Sequence, residues 1–176
     1  MKIETYTNTI DIETYIRDYV DVEEFLEYCK ACSAYNKKWS CPEFDFDPLD
    51  YWRKFSTLKV IGKKIYLKED ENVTRDNVFD YLDEIKLALT DELYEAEKKI
   101  PRSVALSAGS CHYCGKDNCE KKYGRPCKYP DKLRYSIEAL GGNVGLTTRK
   151  LLGINLCWIE DDALPEYYVL VGGLLY

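Results

Sequence analysis

The chain has 176 residues, with 25 basic against 31 acidic side chains and a net charge of −6. This length suits one domain with its own core, and the acidic balance argues against nucleic-acid binding, which depends on Lys and Arg. No apolar run is long enough to cross a membrane, and the N-terminus shows no secretory signal. We therefore expect a single domain over residues 1–176, in a cytoplasmic protein that binds neither nucleic acid nor membranes.

The first part of the chain predicts helices followed by a strand. The opening is helical in pattern, and Asp21 followed by Glu24 resembles a capping box at the start of a helix. Residues 44–55 suggest irregular structure or a short helix. Residues 57–68 predict a strand in which the apolar positions change parity at Gly62, and this change suggests a β-bulge.

The middle of the chain predicts a βαβ unit. Apolar residues recur every three or four positions over residues 75–100, which predicts a helix that Pro101 ends. Residues 103–107 predict a buried strand. A strand, a long helix and a second strand predict a right-handed crossover.

The last third of the chain predicts a loop, a helix and two strands. Residues 109–130 are loop-like, and residues 131–140 predict a short helix that ends at the glycines 141–142. Residues 154–160 and 167–175 predict two strands that pair as a hairpin. Together these elements predict an α/β fold, with α+β as the alternative: a mixed sheet containing the βαβ unit, surrounded by helices and cysteine-bearing metal loops.

Cysteine is the residue that points to function. The chain has eight Cys and one His, and no secretory signal to place it in an oxidising compartment. This combination favours metal or redox chemistry over a disulfide framework. A single His excludes a zinc finger of the two-Cys, two-His type and any centre built from several His.

Four of the cysteines lie within 17 residues, in a polar loop with spacings of two, four and seven residues: Cys111, Cys114, Cys119 and Cys127. Four thiolates in one loop are sufficient to hold one metal centre, and Gly115 and Gly124 allow the backbone to bend around it. Both an iron–sulfur cluster, of which the 4Fe–4S type is favoured, and a zinc ion take four thiolates. The spacing is that of neither the common ferredoxins nor the common zinc ribbons.

The charge around this loop gives a further hint about the metal. Residues 111–134 carry a net charge of +4, whereas the rest of the chain carries −10. Local positive charge offsets an anionic thiolate cluster and tunes its potential. A solvated basic surface explains the same pattern equally well.

Three further cysteines form a second group in the first part of the chain: Cys29, Cys32 and Cys41. Three thiolates can leave one iron of a second cluster open to a substrate, or take a distant fourth ligand such as Cys157. Cys157 alternates with apolar residues, so a core thiol is the favoured interpretation for it. Structural packing is the alternative for the three. His112 either replaces a cysteine ligand, donates to a cluster sulfur, or is an exposed loop residue.

Five stretches of the chain resemble an uncharacterised family of cysteine-rich, predicted metal-binding proteins, a domain of unknown function. These stretches are residues 29–32, 39–42, 111–119, 124–130 and 136–141. The sequence departs from the family pattern at Glu43, where a second proline is expected after Cys41-Pro42. The resemblance implies that the seven cysteines of the two groups are metal ligands. It implies no reaction.

Three functions are compatible with these residues. The leading hypothesis is an iron–sulfur protein, with one or two clusters, that transfers electrons or assists a partner enzyme as a redox accessory. The second is an enzyme with an open-site 4Fe–4S cluster at the three-cysteine group. The third is a zinc-stabilised binding module without redox activity. The first hypothesis implies a redox protein as partner.

Overall fold

A computed structural model of the chain describes residues 2–115, 117–157 and 163–176. The strands in these ranges are β1 (Lys2–Asp11), β2 (Thr57–Tyr66), β3 (Val104–Leu106) and β4 (Tyr167–Leu175). The α-helices are α1 (Ile12–Tyr19), α2 (Val22–Ala31), α3 (Pro48–Trp52), α4 (Val78–Lys99) and α5 (Val144–Thr147). Single 3₁₀ turns span Leu67–Glu69, Glu120–Tyr123, Pro130–Lys132 and Glu138–Leu140, and a π-turn spans Thr148–Leu152. Among the helices so described, none combines the length and the apolar character that crossing a bilayer requires.

The strands form one sheet in the order β1-β2-β4-β3, and every neighbouring pair is antiparallel. The α/β class and the strand–helix–strand unit are confirmed, because β2 and β3 run in the same direction and α4 connects them. The predicted mixed sheet is wrong. The last strand, β4, lies between β2 and β3 and runs opposite to both, so the two parallel strands never pair with each other.

Both faces of the sheet are covered. On one face Leu89 and Leu93 of α4 pack against Ala105 and Leu174. On the other face α1 and α3 contribute the fully buried Tyr15 and Trp52, whose rings lie 5.2 Å apart. The Trp52 indole N–H donates to the carbonyl of Leu140 over 2.9 Å, which ties α3 to the Glu138–Leu140 turn.

The predicted β-bulge at Gly62 is wrong. Gly62 pairs with Tyr6 of β1 and with Val171 of β4 in an unbroken register. The change of apolar parity has another cause, because β2 is an interior strand with both faces covered. Val60 belongs to the core on one face and Ile65 to the core under α4, so apolar residues occur at both parities.

The opening of the chain is only partly helical. β1 was not predicted, since it is an edge strand with mostly exposed side chains and therefore lacks a clear apolar alternation. The predicted cap is confirmed: the Asp21 carboxylate accepts from the backbone N–H of Glu24 over 2.9 Å, and α2 begins at Val22.

The last third of the chain departs most from prediction. Instead of one helix, residues 131–140 contain an extended piece that runs beside β3, with Ser136 bridged in parallel to Ser107. Gly141 does end the Glu138–Leu140 turn in the left-handed conformation, with φ of 82°. Residues 154–157 form no strand, and residues 158–160 of the predicted hairpin lie outside the described residues. The partners of β4 within those residues are β2 and β3.

Candidate metal centre

Three left-handed glycines shape the loop that carries the four-cysteine group. Gly109 follows β3 with φ of 72°, Gly115 has φ of 88°, and Gly124 has φ of 67° and ends the Glu120–Tyr123 turn. Such φ values are strained for residues with a side chain but not for glycine. These turns change the direction of the backbone within the 17-residue segment that carries the four cysteines.

The four thiols of this loop share one environment. All eight cysteines of the chain are free of disulfide bonds. The pKa of the Cys114 thiol is raised, first by its burial and then by the neighbouring thiols of Cys127, Cys111 and Cys119. Like charges disfavour one another's ionised forms, so the other three thiols of the loop are close enough to Cys114 to act on it electrostatically.

The four thiols of this loop are not arranged as a metal-ligand set in the described structure. Within the described residues, no group of three or more His, Cys, Asp or Glu side chains is arranged to hold a metal ion. Four thiols on one bent loop nevertheless have the donor chemistry of an iron–sulfur or zinc centre. Since binding removes the thiol protons and orders the ligands at the same time, closure of such a loop is coupled to metal binding.

The three-cysteine group lies at the end of α2 and in the turn that follows. Cys29 is on the last turn of the helix, Cys32 is its C-cap, and Cys41 is buried. Burial raises the pKa of the Cys29 thiol to about 11, with further contributions from Glu138, Cys41 and Cys32. The thiols of Cys41 and Cys32 are therefore close enough to Cys29 to act on it electrostatically.

The two cysteine groups, distant in sequence, lie side by side. The Lys121 ammonium group donates to the carbonyls of Cys41, over 3.1 Å, and of Glu43, over 3.2 Å. The backbone N–H of Cys111 donates to the Ser40 hydroxyl over 2.9 Å. These contacts join the turn around Cys41 to the four-cysteine loop, an adjacency that the sequence does not predict.

Two buried lysines meet at the start of the four-cysteine loop. Lys38 and Lys86 are each only 8% exposed. Lys86 donates to the carbonyl of Ser110 over 2.6 Å, and Lys38 lies 3.4 Å from the carbonyl of Cys111. Burial, followed by the charge of Lys38, lowers the pKa of Lys86 to about 8.

Neither lysine was predicted to belong to the site, although the position of Lys86 in the sequence indicates its burial. Lys86 is four residues after Leu82 and three before Leu89, so it lies in the apolar stripe of α4 that packs under the sheet. A lysine in such a stripe is buried with its charge unless its stem reaches the surface. Lys38 lies in an irregular turn, where no pattern marks it.

Glu138 lies in the stretch 136–141 that resembles the family, but the sequence does not mark it as a site residue. It lines a cavity of about 320 Å³ together with Cys29, Glu43, Phe44 and Phe46. Burial raises the pKa of the Glu138 carboxyl above its ordinary value. A carboxyl group and a thiol of the three-cysteine group therefore face one largely apolar space.

A family comparison supports metal binding. Residues 14–176 match the model of a family described as "Predicted metal-binding protein (DUF2284)". The chain belongs to this family. The resemblance inferred from the cysteine motifs is thereby confirmed. No curated protein and no solved structure was found to be similar to the chain.

His112 is not an exposed loop residue. Its side chain is 15% exposed, and its Nδ1 lies 3.5 Å from the Asp83 carboxylate of α4. Its Nε2 lies 3.4 Å from the Lys86 ammonium group and 3.3 Å from the Ser110 hydroxyl. The ring thus sits among polar groups of α4 and of the loop start.

Cys157, considered as a fourth ligand for the three-cysteine group, is half-buried next to β4. Its sulfur interacts with the Tyr167 hydroxyl and raises the pKa of that phenol. The thiols that act on Cys29 are those of Cys41 and Cys32. This placement disagrees with the predicted strand position but favours a packing role over a ligand role.

We expect Cys157→Ala to keep its full metal content and to lose only about 1 kcal/mol of unfolding free energy, because it removes a small packed side chain and no ligand. Metal analysis of anaerobically purified protein and urea denaturation measure the two quantities. Loss of one centre in this variant would make Cys157 the fourth ligand of the three-cysteine group.

Proposed function

We propose that this protein is a cytoplasmic iron–sulfur protein that transfers electrons or serves a partner enzyme as a redox accessory. A cluster of the 4Fe–4S type would be held by one set of residues, Cys111, Cys114, Cys119 and Cys127. A second centre would be held by Cys29, Cys32 and Cys41. The observation that carries the proposal is the contact between the four-cysteine loop and the turn around Cys41, made by Lys121, which donates to the carbonyls of Cys41 and Glu43.

The buried lysines support iron–sulfur over zinc. Four thiolates outweigh the positive charge of either centre, but only a cluster becomes more negative when it accepts an electron. Lys38 and Lys86 lie beside the first ligand, Cys111, and Lys121 lies between the two groups. Their positive charges favour an added electron, whereas a structural zinc site gains nothing from reduction.

The contact between the groups also has a functional consequence. A bound cluster supplies one-electron transfer, and such transfer is easiest between neighbouring centres. The Trp39 indole N–H donates to the carbonyl of Arg125 over 3.1 Å, and Ser40 accepts from Cys111. These bonds link the two loops, and an electron relay between two centres requires such a link.

A second function, an enzyme with an open metal site, is favoured by the cavity at Cys29. Three thiolates leave one coordination position for another ligand. The cavity of about 320 Å³ that Cys29 and Glu138 line has room for a small molecule at that position. In this case the three-cysteine group would bind the substrate and the four-cysteine group would exchange electrons with it.

Anaerobic purification followed by visible spectroscopy and by iron, zinc and sulfide analysis tests the proposal. We expect iron with sulfide, two centres per chain, and a broad absorbance near ~400 nm that dithionite bleaches. Colourless protein with stoichiometric zinc, isolated under strictly anaerobic conditions from iron-replete cells, would overturn it. One centre per chain would refute the two-site arrangement while leaving the cluster itself intact.

A further inference from the structure

A second cavity lies between α4 and the start of the four-cysteine loop. Its volume is about 270 Å³, and its walls include Lys86 and Leu87 of α4 together with Cys111 and Tyr113 of the loop. It is distinct from the cavity at Cys29, which is lined by α2, the turn after Cys41 and the Glu138–Leu140 turn. Metal binding by the cysteines assigns no role to this second cavity.

Lys86 brings a buried positive charge to this cavity. Of its three N–H bonds, one reaches the Ser110 carbonyl over 2.6 Å, and Nε2 of His112 lies 3.4 Å away. Within the described part of the chain, the ammonium group forms no ion pair with a carboxylate. The second buried lysine, Lys38, adds another positive charge, while the carboxyls of Asp83 and Glu138 act on Lys86 as partial counter-charges.

Arg134, another cationic side chain that lines the cavity, is already paired with a carboxylate. Arg134 makes two bonds of 2.6 Å to the Glu97 carboxylate, and it also donates to the carbonyls of Asp131 and Leu133. Asp91, an acidic residue of the lining, is exposed to solvent. Lys86 is therefore the charge that a ligand in this space would meet, which suits a single negative charge better than a phosphate dianion.

The remaining walls of the cavity suit the apolar part of a small organic molecule. Leu87, Tyr94 and Tyr113 present aliphatic and aromatic surface, while the Ser107 hydroxyl donates to the Gly109 carbonyl over 2.8 Å. Small-molecule sites combine apolar walls with a few polar groups that fix orientation. A carboxylate at Lys86 with a small apolar or aromatic group against the tyrosines satisfies both parts of this cavity.

We propose that the cavity beside Cys111 binds a small organic carboxylate, with Lys86 as the group that holds its charge. Binding depends on Lys86 and on the shape of the cavity, so it stands whether or not the cysteines hold a cluster. Because Cys111 also lines the cavity, the bound carboxylate would lie next to the first ligand of the metal loop. The carboxylate is therefore in position to be a substrate or an effector of that centre.

Isothermal titration calorimetry with benzoate, in a buffer without competing anions, tests this on the full chain as purified anaerobically. We expect wild-type protein to bind benzoate and Lys86→Met to bind it at least tenfold more weakly. Lys98→Met is the matched control, because it removes the same charge from an exposed position of the same helix, where Lys98 pairs with Glu95. It should bind benzoate as the wild type does.

A second variant changes the shape of the cavity without changing any charge. It keeps the proposal testable if Lys86→Met fails to fold. Leu87→Trp keeps every charge, starts from a side chain that is 48% exposed, and narrows the cavity. We expect it to weaken benzoate binding with an unchanged melting temperature. Absence of benzoate binding to wild type, equal binding by Lys86→Met, or binding of inorganic phosphate as tight as that of benzoate would each overturn the proposal. Metal content, measured on the same samples, shows separately whether the iron–sulfur proposal holds.

Discussion

Replacement of Cys114 by alanine is expected to release the metal of the four-cysteine loop and to lower the unfolding free energy by more than about 3 kcal/mol, the range reached when a structural metal is lost. Cys114 is one of four thiols proposed to hold one centre, and the other three act on it electrostatically, so its loss leaves a four-thiolate centre incomplete. The loop is polar, and its cysteines are only half-buried. Without metal it therefore has little apolar burial to hold its turns together.

Metal analysis and urea denaturation of the loaded protein measure both effects of Cys114→Ala. Iron and sulfide should fall to the amount held by Cys29, Cys32 and Cys41, while the Cys157→Ala control keeps the wild-type amount. Full metal retention by Cys114→Ala would show that the four cysteines do not ligate one centre. Loss of all metal would show that the two groups bind their metals cooperatively, not as independent sites.

Gly141→Ala is expected to destabilise the protein by about 2–5 kcal/mol, since it combines two separate penalties. The residue has φ of 82°, a left-handed conformation that costs a residue with a side chain about 1–2 kcal/mol. A Cβ here would also lie 2.8 Å from Cα of Val22, and overpacking against backbone adds about 1–3 kcal/mol. Val22 begins α2, so the strain would act on the helix that carries Cys29.

Gly153→Ala is the matched control for this substitution. Gly153 has φ of 69°, and a Cβ there would have no other atom within 4 Å. It should therefore show the conformational penalty alone, about 1–2 kcal/mol. Denaturation of both variants measures the difference. Equal destabilisation would show that α2 moves away from Gly141 without penalty, and that the close contact contributes nothing to stability.

The candidate ligands could be predicted from the sequence because each cysteine group is local. Spacings of two to eight residues place thiols on the same turn or loop whatever the rest of the chain does. The same holds for the helix that became α4, for β2 and β4, and for the cap at Asp21, since their patterns repeat within a few residues. The covering of both faces of β2 is also visible in the sequence, because it explains the change of apolar parity at Gly62.

Only the tertiary structure decided how these local pieces are combined. The insertion of β4 between β2 and β3 depends on the pairing of residues more than a hundred positions apart, which no local pattern encodes. The same long-range packing sets the turn around Cys41 against the four-cysteine loop and buries Lys38 and Lys86 at Ser110 and Cys111. Spacing thus indicated which thiols are candidate ligands of one metal, whereas packing determined which charges and cavities surround them, because burial and electrostatic contact arise only when distant segments meet.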